Sequence, residues 1–411
     1  MNSHPASSSV IRENNLSTVL NLIHAEGSIS RADLIRRTNL SATTVSALVS
    51  VLIESGIVRE AGTGESSGGR RPILIEFNYQ YKYVLGVDIG ASHVTVLIMD
   101  LHGHPLAHHT QQHPVVTDPA GTFAIARSLI QDILNASHLQ ESELLGVGLT
   151  VPTPLRGEKL DQPVTYYMPA WENVIPVVEI QKALSLPIYV ENDANAGAIG
   201  EKWWGIGRGL ENLAFIKIGV GVGSGLILSG DVYRGHSGTA GEIGHTTIEV
   251  NGRGCRCGNH GCLEAYVGAI ELINTTLETY ANAGVQSPFE QPPSVIQLVN
   301  AALTGDPIAI QIIQTAGRYL GTAIANLLNL VDPGIVILNG ELVGAGSLLL
   351  DAVHASIRQR VMPIAAQKTA IVVSQLGSLA VAIGAATLVI QNAFQPANLA
   401  KTLKPSPSIT A

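Results

Sequence analysis

The chain is poor in aromatic residues (4%), in charge (14% Asp, Glu, Lys and Arg) and in cysteine (three in 411 residues). With 46% hydrophobic residues overall, its cores must be built from alanine, valine, isoleucine and leucine. An odd, clustered set of cysteines excludes a disulfide-stapled secreted scaffold. Long hydrophobic runs are missing: the longest, near Leu379–Ile390, is too short to span a bilayer, so no membrane partner is expected. Met1 to Ser9 is polar, so no secretory signal is expected, and reduced cysteines then point to the cytoplasm. Positive charge is also scarce, with a net charge of −8. Residues 1–82 carry eight Lys/Arg and seven Asp/Glu, for +1, and the remainder carries −9. An acidic body repels DNA and anionic membranes, so any nucleic-acid contact belongs to the amino-terminal part. The length suggests two or three domains.

All three cysteines fall within eight residues, Cys255, Cys257 and Cys262, with His245 upstream in the order H-x9-C-x-C-x4-C. One imidazole and three thiolates are a tetrahedral zinc set with no position left for water, so the expected Zn2+ is structural. His260, between the cysteines, is the competing nitrogen donor, and a disulfide with a spare thiol is the plainer alternative. The same loop carries Glu242 and Glu264, and a metal that fixes a loop also fixes the polar groups riding on it.

Arg12 to Phe77 reads as a winged helix-turn-helix. Leu16, Val19, Leu20 and Ile23 recur at helical spacing, and Gly27 ends that helix. Ser30 is a good N-cap for a short second helix, 32–37, with Asp33 in its first turn. Ser41 caps a third helix, Ala42 to Glu54, that turns Val45, Leu48, Val49 and Leu52 inward. Its start offers Ser41, Thr43, Thr44 and Ser46, small enough to approach a major-groove edge and phosphates. Two wing strands, 56–60 and 73–77, flank Ser66-Ser-Gly-Gly-Arg-Arg-Pro72. There Arg70 and Arg71 supply charge suited to a narrow minor groove. A winged module used for protein contact is the plainer alternative.

From Tyr83 the pattern changes to alternating strands and helices, an α/β arrangement. One strand ends at Asp88 and Gly90, and another ends in Val190-Glu-Asn-Asp-Ala-Asn195. Glycine-containing loops occur at Asp88–His93 and Gly219–Gly225. Isolated glycines are more often turn punctuation than phosphate sites.

The segment with Glu242, Gly244, His245, Cys255, Cys257, Gly258, Gly261, Cys262 and Glu264 resembles the E-x-G-H and C-x-C-G-x-x-G-C-x-E signature of the ROK family of repressors, open reading frames and sugar kinases. The resemblance spans most of the chain. It points to the transcriptional-regulator branch, which holds glucose, N-acetylglucosamine and xylose repressors. It implies a two-lobed actin-like (ribonuclease-H-like) ATPase-type sugar-binding body behind a winged helix-turn-helix domain. The expected division is 10–80 for DNA binding, 83–190 plus 378–394 for one lobe, 191–377 for the other with the zinc site, and a disordered tail at 395–411. It also implies that Asn192, Asp193, Glu242, His245 and Glu264 contact sugar hydroxyls, Asp193 being the general base of the family's kinases. Convergent donors and acceptors of this kind suit a carbohydrate, whose hydroxyls must exchange water for partners.

Phosphoryl transfer needs a backbone cradle, a metal-holding carboxylate and a base. The candidate nucleotide residues are Asp88, Gly90, Ser92, Gly221, Gly223 and Gly340. Against the kinases' D-x-G-G-T-K, the chain has Ala91, Ser92 and His93, and a Cβ at 91 stands where backbone approaches phosphate. Leu338-Asn-Gly-Glu-Leu342 replaces the kinases' L-G-G-G, adding the charge of Glu341. The chain is therefore expected to sense rather than phosphorylate. The favoured reading is a sugar-responsive regulator, most often a repressor, whose partners are operator DNA and a sugar or sugar-phosphate effector. A homodimer or dimer of dimers suits two-fold operators, and a sugar-transport protein is a further partner seen in the family. The competing reading is an ATP·Mg2+-dependent hexose or N-acylhexosamine kinase that also binds DNA.

Other signals read plainly. His102, His104, His108, His109 and His113 suggest a solvated hairpin. Trp171 stacks on a sugar or fills a core or lid. The Ala/Gly-rich 378–389 stretch suggests close helix packing. No internal repeat is visible.

Overall fold

The computed structural model describes residues 8–64, 71–157, 161–289, 293–362, 364 and 368–403. Helices α1 (Ser8–Glu26), α2 (Arg31–Thr38) and α3 (Ala42–Glu54) pack over a three-stranded sheet of order β1-β3-β2 (Ser28–Ser30, Ile73–Phe77, Val58–Thr63). The Ser30 side chain accepts from the Asp33 N–H (3.1 Å) and the Ser41 side chain from the Thr44 N–H (3.1 Å), starting α2 and α3 as their sequences suggest. Asn39, left-handed at φ 57°, ends α2. The module core is the expected set, from Leu16, Val19 and Leu20 to Val45, Leu48 and Leu52.

The body contains two five-stranded sheets. The first runs β10-β7-β4-β5-β6, from Tyr83–Ile89 (β4), His93–Met99 (β5), Pro105–Gln112 (β6), Leu144–Val151 (β7) and Ile188–Asn192 (β10). The second runs β13-β12-β11-β14-β15, from Leu213–Ile218 (β11), Val222–Leu228 (β12), Asp231–Val232 (β13), Ile335–Asn339 (β14) and Ala370–Val373 (β15). A two-stranded ribbon (β8 Leu155–Arg156, β9 Gln162–Pro163) lies apart. Each large sheet is an antiparallel meander whose first strand pairs in parallel with a fourth, and the fourth with a fifth. The same topology thus occurs twice, although no sequence repeat announces it.

Two helices join the halves, α4 (Asp193–Trp203) and a hinge helix, Ala380–Ala393. Small residues allow backbone to touch backbone. A Cβ on Gly384 would lie 1.7 Å from the Ala196 carbonyl oxygen, and one on Gly148 would lie 1.7 Å from that of Ala385. The hinge helix then runs into the amino-terminal module. Phe394 and Leu399 share one core with Leu16, Val19 and Phe77. The Ser17 hydroxyl donates to the Phe394 carbonyl (2.7 Å), and the Tyr81 hydroxyl to that of Thr402 (3.3 Å).

The expected disordered tail needs correction over its first part. Pro396–Thr402 is a helix whose Leu399 is fully buried against the module. Apolar burial against a distant part of the chain overrides weak local patterning. Residues 404–411 lie outside the described residues. Trp171 belongs to the core: it is fully buried, and its indole N–H donates to the Val115 carbonyl (2.9 Å). Among the described residues no single helix is long and apolar enough to cross a membrane. One bent pair, Val295–Leu303 with Pro307–Val331, passes on length and composition, but bends by 114°.

Candidate functional site

A cleft of about 470 Å³ opens between the two sheets. The first half delivers Asp88 from the end of β4 and Ser92 and His93 from the next turn. Asn192 and Asp193 arrive where β10 becomes α4. The Asn192 side chain accepts from the N–H groups of Ala194 (3.0 Å) and Asn195 (3.1 Å), and its amide donates to Asp193 (3.2 Å). Strand end and helix start thus present amide and carboxylate together.

The second half delivers Lys217, Gly221, Gly223, Glu242, His245, Glu264 and Gly340 to the same cleft. Glu264 is buried and accepts from the Val222 N–H (3.0 Å) and from the guanidinium of Arg256 (2.6 and 3.2 Å). Burial pushes Glu242 up to about 7, with Asp193 and Glu264 adding to the shift and Arg256 opposing it. All five residues implied as sugar contacts therefore meet in one cleft.

The ligand atoms of His245, Cys255, Cys257 and Cys262 lie within 4.8 Å of one another. His245 Nδ1 is 3.7 Å from Cys255 Sγ, and Cys257 Sγ is 3.7 Å from Cys262 Sγ. Of the two histidines weighed, His245 joins the group; His260 is exposed and outside it. His245 Nε2 faces Glu242 at 3.9 Å, so one ring links the cluster to the cleft. Burial lowers the His245 imidazole toward its neutral, ligating form. Burial, with Cys257 and Cys255 adding, pushes Cys262 up to about 12, so its ionisation calls for a cation in the cluster. One nitrogen and three sulfurs at these separations fit a tetrahedral ion.

The nucleotide candidates fit less well. Gly90 stands back from the lining, and its N–H donates to the His93 carbonyl (3.0 Å). The His93 ring covers it: a Cβ on Gly90 would lie 2.3 Å from that ring. His93 Nε2 pairs with Asp88 (3.2 Å), and Thr150 donates to the same carboxylate (2.8 Å). The Gly90 backbone is thus not open to a phosphate. In the second loop, Gly221 faces the Arg256–Glu264 pair. Gly340 has φ 125° and sits where a Cβ would lie 1.9 Å from the Ile218 carbonyl oxygen. Glycine is required there by packing, and Glu341 beside it lines the cleft. An ATP·Mg2+ group therefore does not fit the residues present.

On the amino-terminal module, Thr43 and Ser46 project outward from α3. Ser41 is also exposed, but its hydroxyl caps α3 and bonds the Thr44 hydroxyl (2.8 Å), so both residues position the helix. Arg71 is exposed at the root of the wing; Arg70 lies outside the described residues. Arg31, Arg36, Arg37 and Arg59 are paired with Glu60, Asp33, Glu26 and Glu76. Lys217 and Arg256 are cleft residues the sequence reading missed. A lysine inside the apolar run Leu213–Ile218 was the signal for the first. An arginine between two cysteines was the signal for the second.

Residues 84–392 match the ROK family, and residues 14–59 match a winged helix-turn-helix DNA-binding family. The chain is 31% identical over 389 residues to the xylose repressor of Bacillus spizizenii, covering 94% of this chain and 97% of that protein. Its fold is similar to that of a ROK family transcriptional regulator described as a homolog of the Escherichia coli MLC protein. That similarity has a TM-score of 0.80 and 29% identity, covering 96% of this chain and 99% of the other. A ROK family glucokinase from Streptomyces griseus, solved with glucose and AMPPNP, matches with a TM-score of 0.66 and 26% identity, over 75% of this chain and 100% of its own. From the histidine–cysteine signature through the paired sheets to these matches, the chain belongs to the ROK family.

Proposed function

We propose that this protein is a sugar-responsive DNA-binding regulator, acting as a repressor of carbohydrate-utilisation genes in the cytoplasm. Residues 10–80 are its DNA-binding domain. Residues 83–190 with 378–394, and 191–377, are the lobes that close on a sugar or sugar phosphate. One observation carries the reading. The turn before the hinge helix and the helix itself line the cleft through Ser378 and Val381, and the chain then reaches the core of the DNA-binding module through Phe394. A 14-residue helix is a rigid rod of about 21 Å. Movement of one lobe on the other is therefore transmitted to the module, and paired modules on a two-fold operator change spacing. This requires a dimer or a dimer of dimers.

In this reading His245, Cys255, Cys257 and Cys262 hold a structural Zn2+. The ion supplies no chemistry to the effector; it holds the loop that carries Glu242 and Glu264 against the cleft. Asn192, Asp193, Glu242, His245 and Glu264 offer the hydroxyl partners.

The test starts from DNA selected by the full-length protein from a random library. Binding to that DNA is measured by anisotropy during titration with D-xylose, D-glucose and their phosphates. Release by one of them is the expected result. DNA affinity indifferent to all of them, or failure to select any sequence, overturns the proposal.

A further inference from the structure

Lys217 is the only charged residue of β11, and its neighbours Phe215, Ile216 and Ile218 are buried. Its ammonium donates to Asp193 at 2.5 Å, with the lysine side chain 18% exposed and that of Asp193 12%. Asp88, from the other sheet, acts on the same ammonium electrostatically. Burial alone would lower Lys217, but Asp193 and then Asp88 override it and hold it above the usual lysine range. Burial likewise opposes the Asp88 charge, and His93, Lys217 and Thr150 together keep that carboxyl below its usual range. Two carboxylates of the first half, Asp88 at the end of β4 and Asp193 just after β10, thus share a cation delivered by β11 of the second half.

Two acids lining one cleft beside glycine-containing loops are where phosphoryl-transfer sites hold a divalent ion and a base. We propose that Lys217 is a resident cation in that place, which closes the cleft to metal-bound nucleotide and turns Asp193 into a recognition group. The ammonium has three N–H donors, of which Asp193 engages one. A sugar hydroxyl that donates to Asp193 and accepts from Lys217 satisfies both charged groups at once. The carboxylate is then a fixed acceptor, held in place by the ammonium beside it. The hydroxyl contact rests on the sugar-receptor reading above; the exclusion of metal does not.

The experiment is Mn2+ binding to the zinc-loaded, full-length protein, read by the loss of the free-ion electron paramagnetic resonance signal. Wild type is expected to leave millimolar Mn2+ free, as is Lys217→Arg. Lys217→Met is expected to bind one ion per chain, about tenfold or more tighter than any residual wild-type binding. Asp193→Asn in that background should abolish the gain. Wild-type binding that Asp193→Asn removes overturns the proposal without need of any lysine variant, should Lys217→Met fail to fold. A folded Lys217→Met that gains no Mn2+, or a Lys217→Arg that gains it, also overturns it. In parallel, calorimetry with D-xylose and D-glucose should show Lys217→Met losing about tenfold or more in affinity. Unchanged sugar affinity in that variant overturns the recognition role. Absence of any sugar binding by wild type, with the metal result as expected, overturns the sugar-receptor reading and leaves the resident cation standing.

Discussion

Replacing Phe394 by alanine should separate sugar sensing from DNA release. The ring is 5% exposed and meets Phe77 edge-on at 5.6 Å, in a core that also holds Val19, Ile23 and Leu399. Removing a buried phenylalanine costs about 3–5 kcal/mol, through lost transfer energy and the cavity left behind. We take about 3 kcal/mol, since the neighbouring Ser17 bond to the residue 394 carbonyl survives the substitution. Coupling between two ligand sites is typically about 1–3 kcal/mol, so a loss of this size at the joint is enough to remove it. Phe394 does not line the sugar cleft, so sugar affinity should be unchanged. The assay is the ratio of operator affinities with and without saturating sugar, alongside denaturant unfolding. The ratio should fall toward one, and unfolding should split into separate module and body transitions. A variant that loses the expected stability but keeps the wild-type ratio would refute the rigid-rod mechanism.

Three other outcomes are expected. Cys257→Ser, or removal of metal by a chelator, should abolish zinc binding and weaken sugar affinity by freeing Glu242 and Glu264; elemental analysis with calorimetry checks both, and intact sugar affinity in metal-free protein contradicts the role given to the loop. Arg71→Ala should weaken DNA binding and reduce the slope of log affinity against log salt by about one, if one phosphate contact is lost; an unchanged slope counts against wing contact. His24 packs against Phe77 at 4.8 Å, and burial lowers its imidazole below the usual 6.5. The unfolded chain therefore binds the proton more readily, so its contribution to stability is full above about 6.5 and is lost as pH falls below that value. Melting temperature should drop over that range in wild type and less so in His24→Phe; parallel profiles would rule the histidine out.

Much of this was legible in the chain because the signals are local. Capping serines and helical spacing act within one turn, so the module follows from its own sequence. Ligand type and spacing drew His245 and the three cysteines together, since a loop of that length can close on one ion. What local pattern could not supply was the company each residue keeps. Pro396–Thr402 has little pattern of its own and is helical because Leu399 finds a core built near the other end of the chain. Trp171 offered two roles, and only burial against Phe123 at 5.4 Å chose the core.

The sequence by itself determined the winged module, the α/β body, the cysteine cluster and the family, because spacing and residue chemistry are properties of the chain. The tertiary structure alone decided that the body is one topology used twice. It decided that the hinge helix and the residues after it tie cleft to DNA-binding module, and that Lys217 lies on Asp193 while His93 covers Gly90. The physical reason is distance along the chain. Asp193 and Lys217 are 24 residues apart and on different elements, and only packing of the two halves sets which charge faces which.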